Sequence, residues 1–430
     1  MDPEPRTPGS TGRQRASMHV QPKQIERAPG DTATVFHEAN RLKRLPPYLF
    51  TLIDDLKRRV LERGADLIDL GMGNPDLPPP PHVAEALARA PQEDPEYHRY
   101  SKRDGDVERR FRRAVADWYF DRFGVTLNPD TEVLPLIGSK EGIAHLSLAF
   151  LNNDDIALVP SPAYPVHFNG VIMAGGILYN LPLKRENGYL PDLDGLDSHI
   201  VSRSKMMFIS YPHNPTTAVA DLDFYEKVAR WARKHNIIVG SDNAYSDIVF
   251  DGYEAPSFLQ TKCGRDVGVE FHTLSKSYSM AGWRIGFVVG NAGILSVLEK
   301  TKSYIDFGIF RAVQHAAIAA LSGPQDCVKE LVDTYRRRLE VFVPGLAEAG
   351  WEVPMPKATF YVWAHIPLKY SALSSLEFSR LMVEEIGVAS APGTGFGEYG
   401  EGFVRFAMVE SEERLAEATR RIKTFLNIKI

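Results

Sequence analysis

The chain has 430 residues, of which 44% are hydrophobic and 24% charged, and its formal net charge is −5. This size and composition allow a large core, predict two domains, and give no indication of nucleic-acid binding. No apolar run approaches the roughly 20 residues that span a bilayer, and no hydrophobic signal core occurs near the start, so we expect a soluble cytoplasmic protein. Cys263 and Cys327 are far apart and no Cys/His cluster has metal-site spacing, which predicts unpaired thiols and no metal.

The first part of the chain has a tail and one structured segment. Residues 1–33 are rich in Pro, Gly, Ser, Thr and Arg without periodicity, which predicts disorder. An amphipathic pattern over about 50–63 predicts a helix, and it is followed by a strand at 67–70 and a turn at 71–76. We assign residues 34–76, together with 314–430, to a smaller α+β domain.

Residues 77–313 alternate helical patterns with short buried runs, at 133–137, 156–159, 205–210 and 237–240. This alternation is typical of a large α/β domain with a mainly parallel sheet between helices. In such sheets ligands sit at the carboxyl ends of the strands. The glycines of 393–397 lack the helix and the acid of a dinucleotide fingerprint, so we reject that interpretation.

Lys276 is the most informative residue. Its amine follows a short extended segment, and Arg284 lies eight residues beyond it. A lysine amine condenses with an aldehyde, while Arg284 and the Ser275 hydroxyl can bind a phosphate dianion. The cofactor that carries both groups is pyridoxal 5′-phosphate (PLP).

Three upstream residues fit the same cofactor. Asp242 ends the apolar run at 237–240, where a carboxylate can keep a pyridine nitrogen cationic so that the ring accepts electrons. Tyr245 and Asn214 can both donate to the ring 3′-oxygen. Taken singly, Asp242 is better interpreted as a strand-end acid that caps a helix, and Asn214-Pro215 as an ordinary turn. In combination with Lys276 the three favour a cofactor site.

These residues occur in four short motifs whose order is that of a known family. The chain resembles a fold-type I PLP-dependent enzyme of the class I and II aminotransferase family, from about Arg41 to the C-terminus. Segments 137–142, 273–286 and 355–363 most resemble bacterial glutamate–pyruvate (alanine) aminotransferases, and LL-diaminopimelate aminotransferase is a close relative. The resemblance implies a seven-stranded, mainly parallel sheet in a large domain, residues 77–313. The four motifs are Asn214-Pro215-Thr216, Asp242-x-Ala244-Tyr245, Ser275-Lys276-Ser277 and Arg284-x-Gly286.

The same resemblance implies further cofactor contacts. Gly138, Ser139 and Lys140 form a turn into a helix whose N-terminus binds the phosphate. Tyr164 stacks on the ring, although by itself it reads as one more core tyrosine. Tyr100 reaches across a homodimer to the phosphate of the neighbouring site.

Substrate binding is implied for three more positions. Arg405, in the alternating strand pattern of 402–407, holds the α-carboxylate through a two-point contact that suits a guanidinium. Gly73 and Tyr48 also match substrate-binding positions, alongside Asn214.

The resemblance implies transfer of an amino group between an L-amino acid and a 2-oxo acid by a ping-pong mechanism, with alanine and glutamate as the leading substrates. One alternative keeps the cofactor and performs γ-elimination or replacement on a cationic, sulfonium-type amino acid. A non-catalytic PLP-fold regulator is the alternative from another class. It would need a DNA-binding domain, which a tail of about 33 residues cannot supply.

The chain departs from the alanine aminotransferase pattern near the expected subunit boundary. Residues 103–107 read Arg-Asp-Gly-Asp-Val where relatives carry a Ser-Arg-Gly-Ile-Pro-like turn. Asp104 and Asp106 either favour a cationic substrate or form a solvated surface pair. His213 and Arg311 also replace smaller or uncharged residues. The sequence leaves open which of the four contact substrate.

Overall fold

The computed structural model describes residues 36–46, 49–101, 103 and 105–427. The predicted disordered tail (1–33) and the candidate residues Tyr48 and Asp104 lie outside the described residues. Within that part of the chain, no helix combines the length and hydropathy needed to cross a membrane.

The described residues form twelve β-strands and fifteen α-helices. The strands are β1 (Ile68–Asp69), β2 (Val133–Leu136), β3 (Ile156–Ser161), β4 (Ile177–Pro182), β5 (Ser204–Ser210), β6 (Ile238–Asp242), β7 (Gly268–Thr273), β8 (Gly286–Gly290), β9 (Tyr361–His365), β10 (Val388–Ala389), β11 (Ala391–Pro392) and β12 (Phe403–Ala407). The helices are α1 (Asn40–Lys43), α2 (Leu49–Glu62), α3 (Pro81–Glu93), α4 (Asp106–Phe123), α5 (Ser139–Phe150), α6 (Val166–Met173), α7 (Ser198–Arg203), α8 (Leu222–His235), α9 (Gly264–Val267), α10 (Leu274–Ser277), α11 (Ala292–Ser303), α12 (Arg311–Ser322), α13 (Asp326–Glu348), α14 (Ser375–Ile386) and α15 (Glu412–Asn427).

A seven-stranded sheet lies at the centre, with strand order β2-β8-β7-β6-β5-β3-β4. Its neighbouring strands are parallel except at β8, which runs antiparallel to both β2 and β7. The predicted mainly parallel sheet of an α/β fold is therefore confirmed, with β8 as its one antiparallel strand.

Helices cover both faces of this sheet. Leu158 of β3 and Met207 of β5 join the core cluster that contains residues of α4, α8 and α12. Their chain neighbours Ala157 and Met206 join the opposite cluster, with residues of α5 and α6. Because both faces are buried, these strands read as continuous apolar runs rather than as alternating patterns.

Helix α8 shows how local sequence delivers a strand to the site. The Asp221 carboxylate accepts a hydrogen bond of 2.8 Å from the Phe224 N–H, which caps the helix start. Asn236 ends the helix in the left-handed conformation. The chain then enters β6, whose last residue is Asp242.

A separate core cluster contains residues of α13, α14 and α15 together with β9 and β12 of the antiparallel sheet β11-β12-β9. Strand β1 pairs with β10 in parallel, and the Ala407 N–H at the end of β12 donates to the Leu70 carbonyl at 2.8 Å. The turn after β1 is thereby held against β12. The domain boundaries at residues 76 and 313 remain predictions.

Candidate active site

A cavity of about 180 Å³ lies at the carboxyl ends of β5 and β6. The start of α5, the α10 segment after β7, strand β12 and the turn after β1 complete its wall. The residues around it are Met72, Gly73, Ser139, Lys140, Tyr164, Ser210, Asn214, Asp242, Ala244, Tyr245, Thr273, Ser275, Lys276, Ala281, Arg284, Tyr361 and Arg405.

Lys276 lies in the short helix α10, which Thr273 caps directly after β7. Its Nζ donates to the Gly73 carbonyl at 2.7 Å, and no carboxylate among the described residues forms an ion pair with it. Burial, and then the charges of Arg405 and Arg284, lower the pKa of this amine to about 7. Near neutral pH much of the amine is therefore unprotonated and able to act as a nucleophile or a base.

Asp242 points one carboxylate oxygen at a partner and leaves the other without one. Oδ2 lies 3.1 Å from His167 Nε2. Oδ1 is buried and has no hydrogen-bond partner among the described residues. An unpartnered oxygen on a buried carboxylate is costly, so it marks a place for a ligand that brings a donor or a positive charge.

The start of α5 offers donors to an anion. Gly138 precedes the helix with φ +72°, and a Cβ at this position would overlap the Arg284 guanidinium. Arg284 itself donates to the Ala281 carbonyl at 2.9 Å and crosses close to the helix N-terminus. The backbone N–H groups of the first turn, with Ser275 and Ser139 nearby, are suited to a phosphate group.

Arg405 is buried in the opposite wall. Its guanidinium donates to Asn214 Oδ1 at 2.7 Å and to the Gly71 carbonyl at 3.0 Å. The guanidinium carbon lies 4.1 Å from the centre of the Tyr361 ring and 4.6 Å from that of Phe396. Its Nε is buried without a partner among the described residues, so a donor remains for a carboxylate ligand.

Asn214 and Tyr245 border the cavity between Arg405 and Asp242. Because Arg405 already occupies the Asn214 carbonyl oxygen, the amide nitrogen is the part that can donate to a ligand. The Tyr245 hydroxyl lies 2.9 Å from that of Tyr361. Tyr164 also borders the cavity, with Lys140 Nζ 5.8 Å from its ring centre.

Apart from Gly138, which precedes the lining residue Ser139, four of the described candidates do not border this cavity. Tyr100 is 75% exposed, and its ring packs edge-on against Phe307 at 5.2 Å. Asp106 begins α4, where its carboxylate pairs with Arg110 at 3.4 Å on the surface.

His213 and Arg311 are both buried. His213 Nδ1 lies 2.7 Å from the Thr216 hydroxyl, and burial lowers the pKa of the imidazole to about 3. Arg311 donates to the Tyr100 carbonyl at 2.6 Å and to the Glu96 carbonyl at 2.7 Å, which ties the start of α12 to the segment that carries Tyr100. Neither side chain lines the cavity.

Two residues of the site were missed from the sequence. His167 follows Tyr164 by three residues at the start of α6, and that spacing was an available signal for its contact with Asp242. Tyr361 lies in segment 355–363, which resembles alanine aminotransferases, but the motif itself predicts no role for it. Nothing local distinguishes it from the other buried tyrosines.

One group of potential metal ligands occurs among the described residues. Glu141, His145 and Asp306 carry ligand atoms within 4.8 Å of one another. Lys302 Nζ, however, lies 2.8 Å from Glu141 and 3.0 Å from Asp306, so an ammonium already bridges the two carboxylates. Cys263 and Cys327 are both free thiols, as predicted.

The sheet, its flanking helices and a lysine at the carboxyl edge of the strands define an enzyme of the PLP-dependent fold type I class. The chain matches the model of aminotransferase class I and II over residues 65–422 and belongs to that family. It is therefore a PLP-dependent aminotransferase, acting on an amino acid and a 2-oxo acid.

Individual relatives are similar over nearly their whole length. LL-diaminopimelate aminotransferase of Syntrophobacter fumaroxidans is 50% identical over 388 residues, which cover 90% of this chain and 98% of the relative. Glutamate-pyruvate aminotransferase AlaC of Escherichia coli is 48% identical over 383 residues, with 89% and 92% coverage. The structure of substrate-bound BacF from Bacillus subtilis superposes with a TM-score of 0.87 at 40% identity, covering 92% of this chain and 99% of that one. The predicted similarity to AlaC-type enzymes is confirmed.

The residues present fit the cofactor. The unpartnered Asp242 oxygen suits a cationic ring nitrogen, and the α5 start with Arg284 suits a phosphate. Lys276 borders the same cavity as Asp242 and Arg284, and its amine is partly neutral at pH 7. These three features can bind the ring nitrogen, the phosphate and the aldehyde of PLP.

Proposed function

We propose that this enzyme is an alanine/glutamate-type aminotransferase that works by a ping-pong mechanism. The observation that carries the proposal is the charge of the cavity. Among the described residues around it, Arg405, Arg284, Lys140 and Lys276 are basic, while Asp242 is the one acid. Asp242 is proposed to face the ring nitrogen, so this lining leaves no acid among the described residues for a cationic side chain, whereas Arg405 suits a carboxylate. This charge pattern favours alanine and glutamate over donors that carry a second ammonium group.

The proposed roles follow from the contacts. When bound, PLP supplies an aldehyde for the amino group and a ring that accepts electrons from Cα. Arg405 holds the substrate α-carboxylate together with the Asn214 amide and Gly73. Lys276, when its amine is free, would act as the general base that removes the proton from the substrate Cα. The same amine would deliver that proton to the carbon of the cofactor aldehyde group. Asp242, oriented by His167, keeps the ring nitrogen cationic, and Tyr245 and Tyr164 fix the ring.

We also propose that the active unit is a homodimer with shared sites. Tyr100 does not line its own cavity and lies next to an exposed aromatic segment that includes Tyr304 and Phe307, 85% and 64% exposed. Large exposed aromatic patches of this kind are typical of protein interfaces. In a two-fold dimer the contact of Tyr100 with the neighbouring phosphate would occur twice.

A second candidate substrate is LL-diaminopimelate, and relatives of that name favour it, at 50% and 48% identity. The sulfonium-type alternative has no support. Asp106, one of the two acids on which it depended, pairs with Arg110 and Arg109 at the surface.

Half-reactions separate these candidates. Holoenzyme is mixed with one amino donor at a time, without an acceptor, while the cofactor absorbance is recorded and the 2-oxo acid is identified by mass spectrometry. We expect L-alanine and L-glutamate to react at least about tenfold more efficiently than LL-diaminopimelate or S-methylmethionine. D-alanine and the Lys276→Ala variant serve as controls. A higher kcat/KM for LL-diaminopimelate than for both leading donors would replace the proposal with the second candidate.

A further inference from the structure

We infer that Tyr361 is a positioning residue that holds the Arg405 guanidinium and the Tyr245 hydroxyl in their working places. The inference rests on the proposed roles of those two residues. It adds a residue that joins the substrate side of the cavity to the cofactor side.

Tyr361 begins β9 and is 2% exposed. It pairs in register with Ala407 of β12, two residues beyond Arg405, so both side chains emerge on the same face of this sheet. Its backbone N–H donates to the Thr359 hydroxyl at 3.2 Å, and Thr359 has a φ of +69°. The ring is therefore fixed by the strand and by the turn before it.

The Tyr361 ring supports one face of a guanidinium. The Arg405 guanidinium carbon lies 4.1 Å from the centre of the Tyr361 ring and 4.6 Å from that of the Phe396 ring. Asn214 Oδ1 and the Gly71 carbonyl accept hydrogen bonds from the Nη atoms. The two rings thus set the plane in which Arg405 presents its remaining donors, and a two-point contact with a carboxylate depends on that plane.

The Tyr361 hydroxyl is hydrogen-bonded to Tyr245 at 2.9 Å. The Tyr245 hydroxyl has one proton, which it is proposed to donate in a hydrogen bond to the cofactor 3′-oxygen. Within the tyrosine pair, Tyr361 must then be the hydrogen-bond donor and Tyr245 the acceptor. A hydroxyl that accepts a hydrogen bond becomes a stronger donor, so the pair acts as a short relay of hydrogen bonds toward the cofactor. Burial, followed by the neighbouring Tyr361, raises the pKa of Tyr245 well above its ordinary value, so the Tyr245 hydroxyl keeps its proton.

Gly73 closes the third side of Tyr361. A Cβ at Gly73 would overlap the Tyr361 hydroxyl, and the Gly73 carbonyl accepts from Lys276. One hydroxyl therefore touches the turn that contacts Lys276 and the tyrosine proposed to contact the ring.

Two substitutions separate the two parts of the role. Tyr361→Phe keeps the ring beneath Arg405 and removes the hydroxyl, whereas Tyr361→Leu removes the ring as well. Tyr225→Phe is the matched control, since Tyr225 is also fully buried and donates to the Tyr211 carbonyl at 3.1 Å, outside the cavity wall.

The readouts are the pH titration of the holoenzyme absorbance and the KM for the amino donor, with thermal melting to verify folding. We expect Tyr361→Phe to move the titration midpoint upward by about half a pH unit or more, because a weaker Tyr245 donor stabilises the ring oxyanion less. Its KM should stay within about twofold, while Tyr361→Leu should raise KM about tenfold. Tyr225→Phe should change neither quantity.

Tyr245→Phe and Arg405→Lys distinguish the inference from the roles on which it rests. If Tyr245→Phe shifts the titration and Tyr361→Phe does not, the inference is wrong and the role of Tyr245 stands. If Tyr245→Phe itself leaves the titration unchanged, the proposed role of Tyr245 is wrong. A Tyr361→Leu variant with unaltered KM, beside an impaired Arg405→Lys, would likewise overturn the part that concerns Arg405.

Discussion

Two buried carboxylates, each paired with a histidine, lie on neighbouring strands of the large sheet and differ in how completely they are satisfied. Asp242 of β6 has His167 at 3.1 Å and one oxygen with no partner among the described residues. Glu270 of β7 has His272 at 3.0 Å and also accepts from the Phe258 N–H at 2.7 Å.

Other donors complete the set around Glu270: Tyr119 at 2.8 Å, Ser241 at 3.2 Å and Asn243 at 3.3 Å. Burial opposes ionisation of Glu270, but these hydrogen bonds and His272 hold its pKa below the ordinary value. A buried carboxylate whose oxygens all have hydrogen-bond partners stabilises the protein without a ligand. A buried carboxylate with an unpaired oxygen obtains its missing partner when a ligand binds. The contrast predicts that substitutions at the two acids damage different properties.

Asp242→Asn should have the largest effect on turnover. The variant keeps the shape of the side chain but loses the charge that is proposed to hold the ring nitrogen cationic. We expect the half-reaction rate to fall by about four orders of magnitude, roughly 5.5 kcal/mol in the barrier. Stopped-flow absorbance measures the rate, and apo-protein stability should change little. A near-normal rate would remove Asp242 from the proposed site.

Glu270→Gln should instead destabilise the fold. Its donors lose a charged acceptor in a fully buried place, which costs about 3–5 kcal/mol in the free energy of unfolding. A carboxylate with a lowered pKa stabilises above its unfolded pKa and less as the pH falls through the folded value. The difference in the free energy of unfolding between Glu270→Gln and the native protein should therefore become smaller below about pH 4.5. Urea unfolding measures it, and Glu384→Gln, in a surface pair with Arg380, is the control.

Lys276→Met should stabilise the apo protein, because Lys276 is a cavity charge with no ionic partner among the described residues. The folded pKa is about 7 and the ordinary value 10.5, so the unfolded chain binds more protons between these values. The penalty on the native lysine is complete below pH 7 and fades as the pH rises to 10.5. Since the amine borders an open cavity, we expect a gain of about 2–3 kcal/mol at pH 6.

The gain from Lys276→Met should be markedly smaller at pH 9. Urea unfolding of apo protein at the two pH values tests this, with the exposed Lys234→Met as control. A gain that is equal at both pH values would show that the amine is not electrostatically penalised.

Arg405→Lys should have the smallest effect of the four. A lysine keeps the positive charge but cannot make a two-point contact or fill the space between Tyr361 and Phe396. We expect KM for the amino donor to rise about tenfold, roughly 1.4 kcal/mol, with a lesser change in kcat. Initial rates measure both, and Arg380→Lys on the surface is the comparison. An unchanged KM would place the carboxylate contact elsewhere.

The sequence predicted the parts of the fold that depend on local pattern. The buried runs at 133–137, 156–159, 205–210 and 237–240 became β2, β3, β5 and β6, because strands covered on both faces are apolar throughout. The antiparallel direction of β8 could not be predicted in this way. Its residues form the same kind of apolar run, and its direction depends on how the chain returns to the sheet.

The residues of the site also fall into two groups: those that short sequence motifs predict and those that only long-range contacts reveal. The structure brings the residues of the local motifs, such as Asp242, Lys276 and Arg284, around one cavity. The roles of His167 and Tyr361 arise from contacts with residues 75 and 116 positions away, which no short motif contains. Tyr100 does not line this cavity, and its contact with the phosphate of a neighbouring subunit stays a prediction.

The hydrogen bond between Arg405 and the Gly71 carbonyl joins residues 334 positions apart. During translation, at about 5–20 residues per second, roughly 20–70 s separate the synthesis of these two residues. The large sheet can form on the ribosome well before then, whereas the wall of Arg405, Tyr361 and Gly73 can close only when β12 has emerged. On the proposed role of Arg405, a nascent chain therefore cannot bind its amino-acid substrate until β12 has been made.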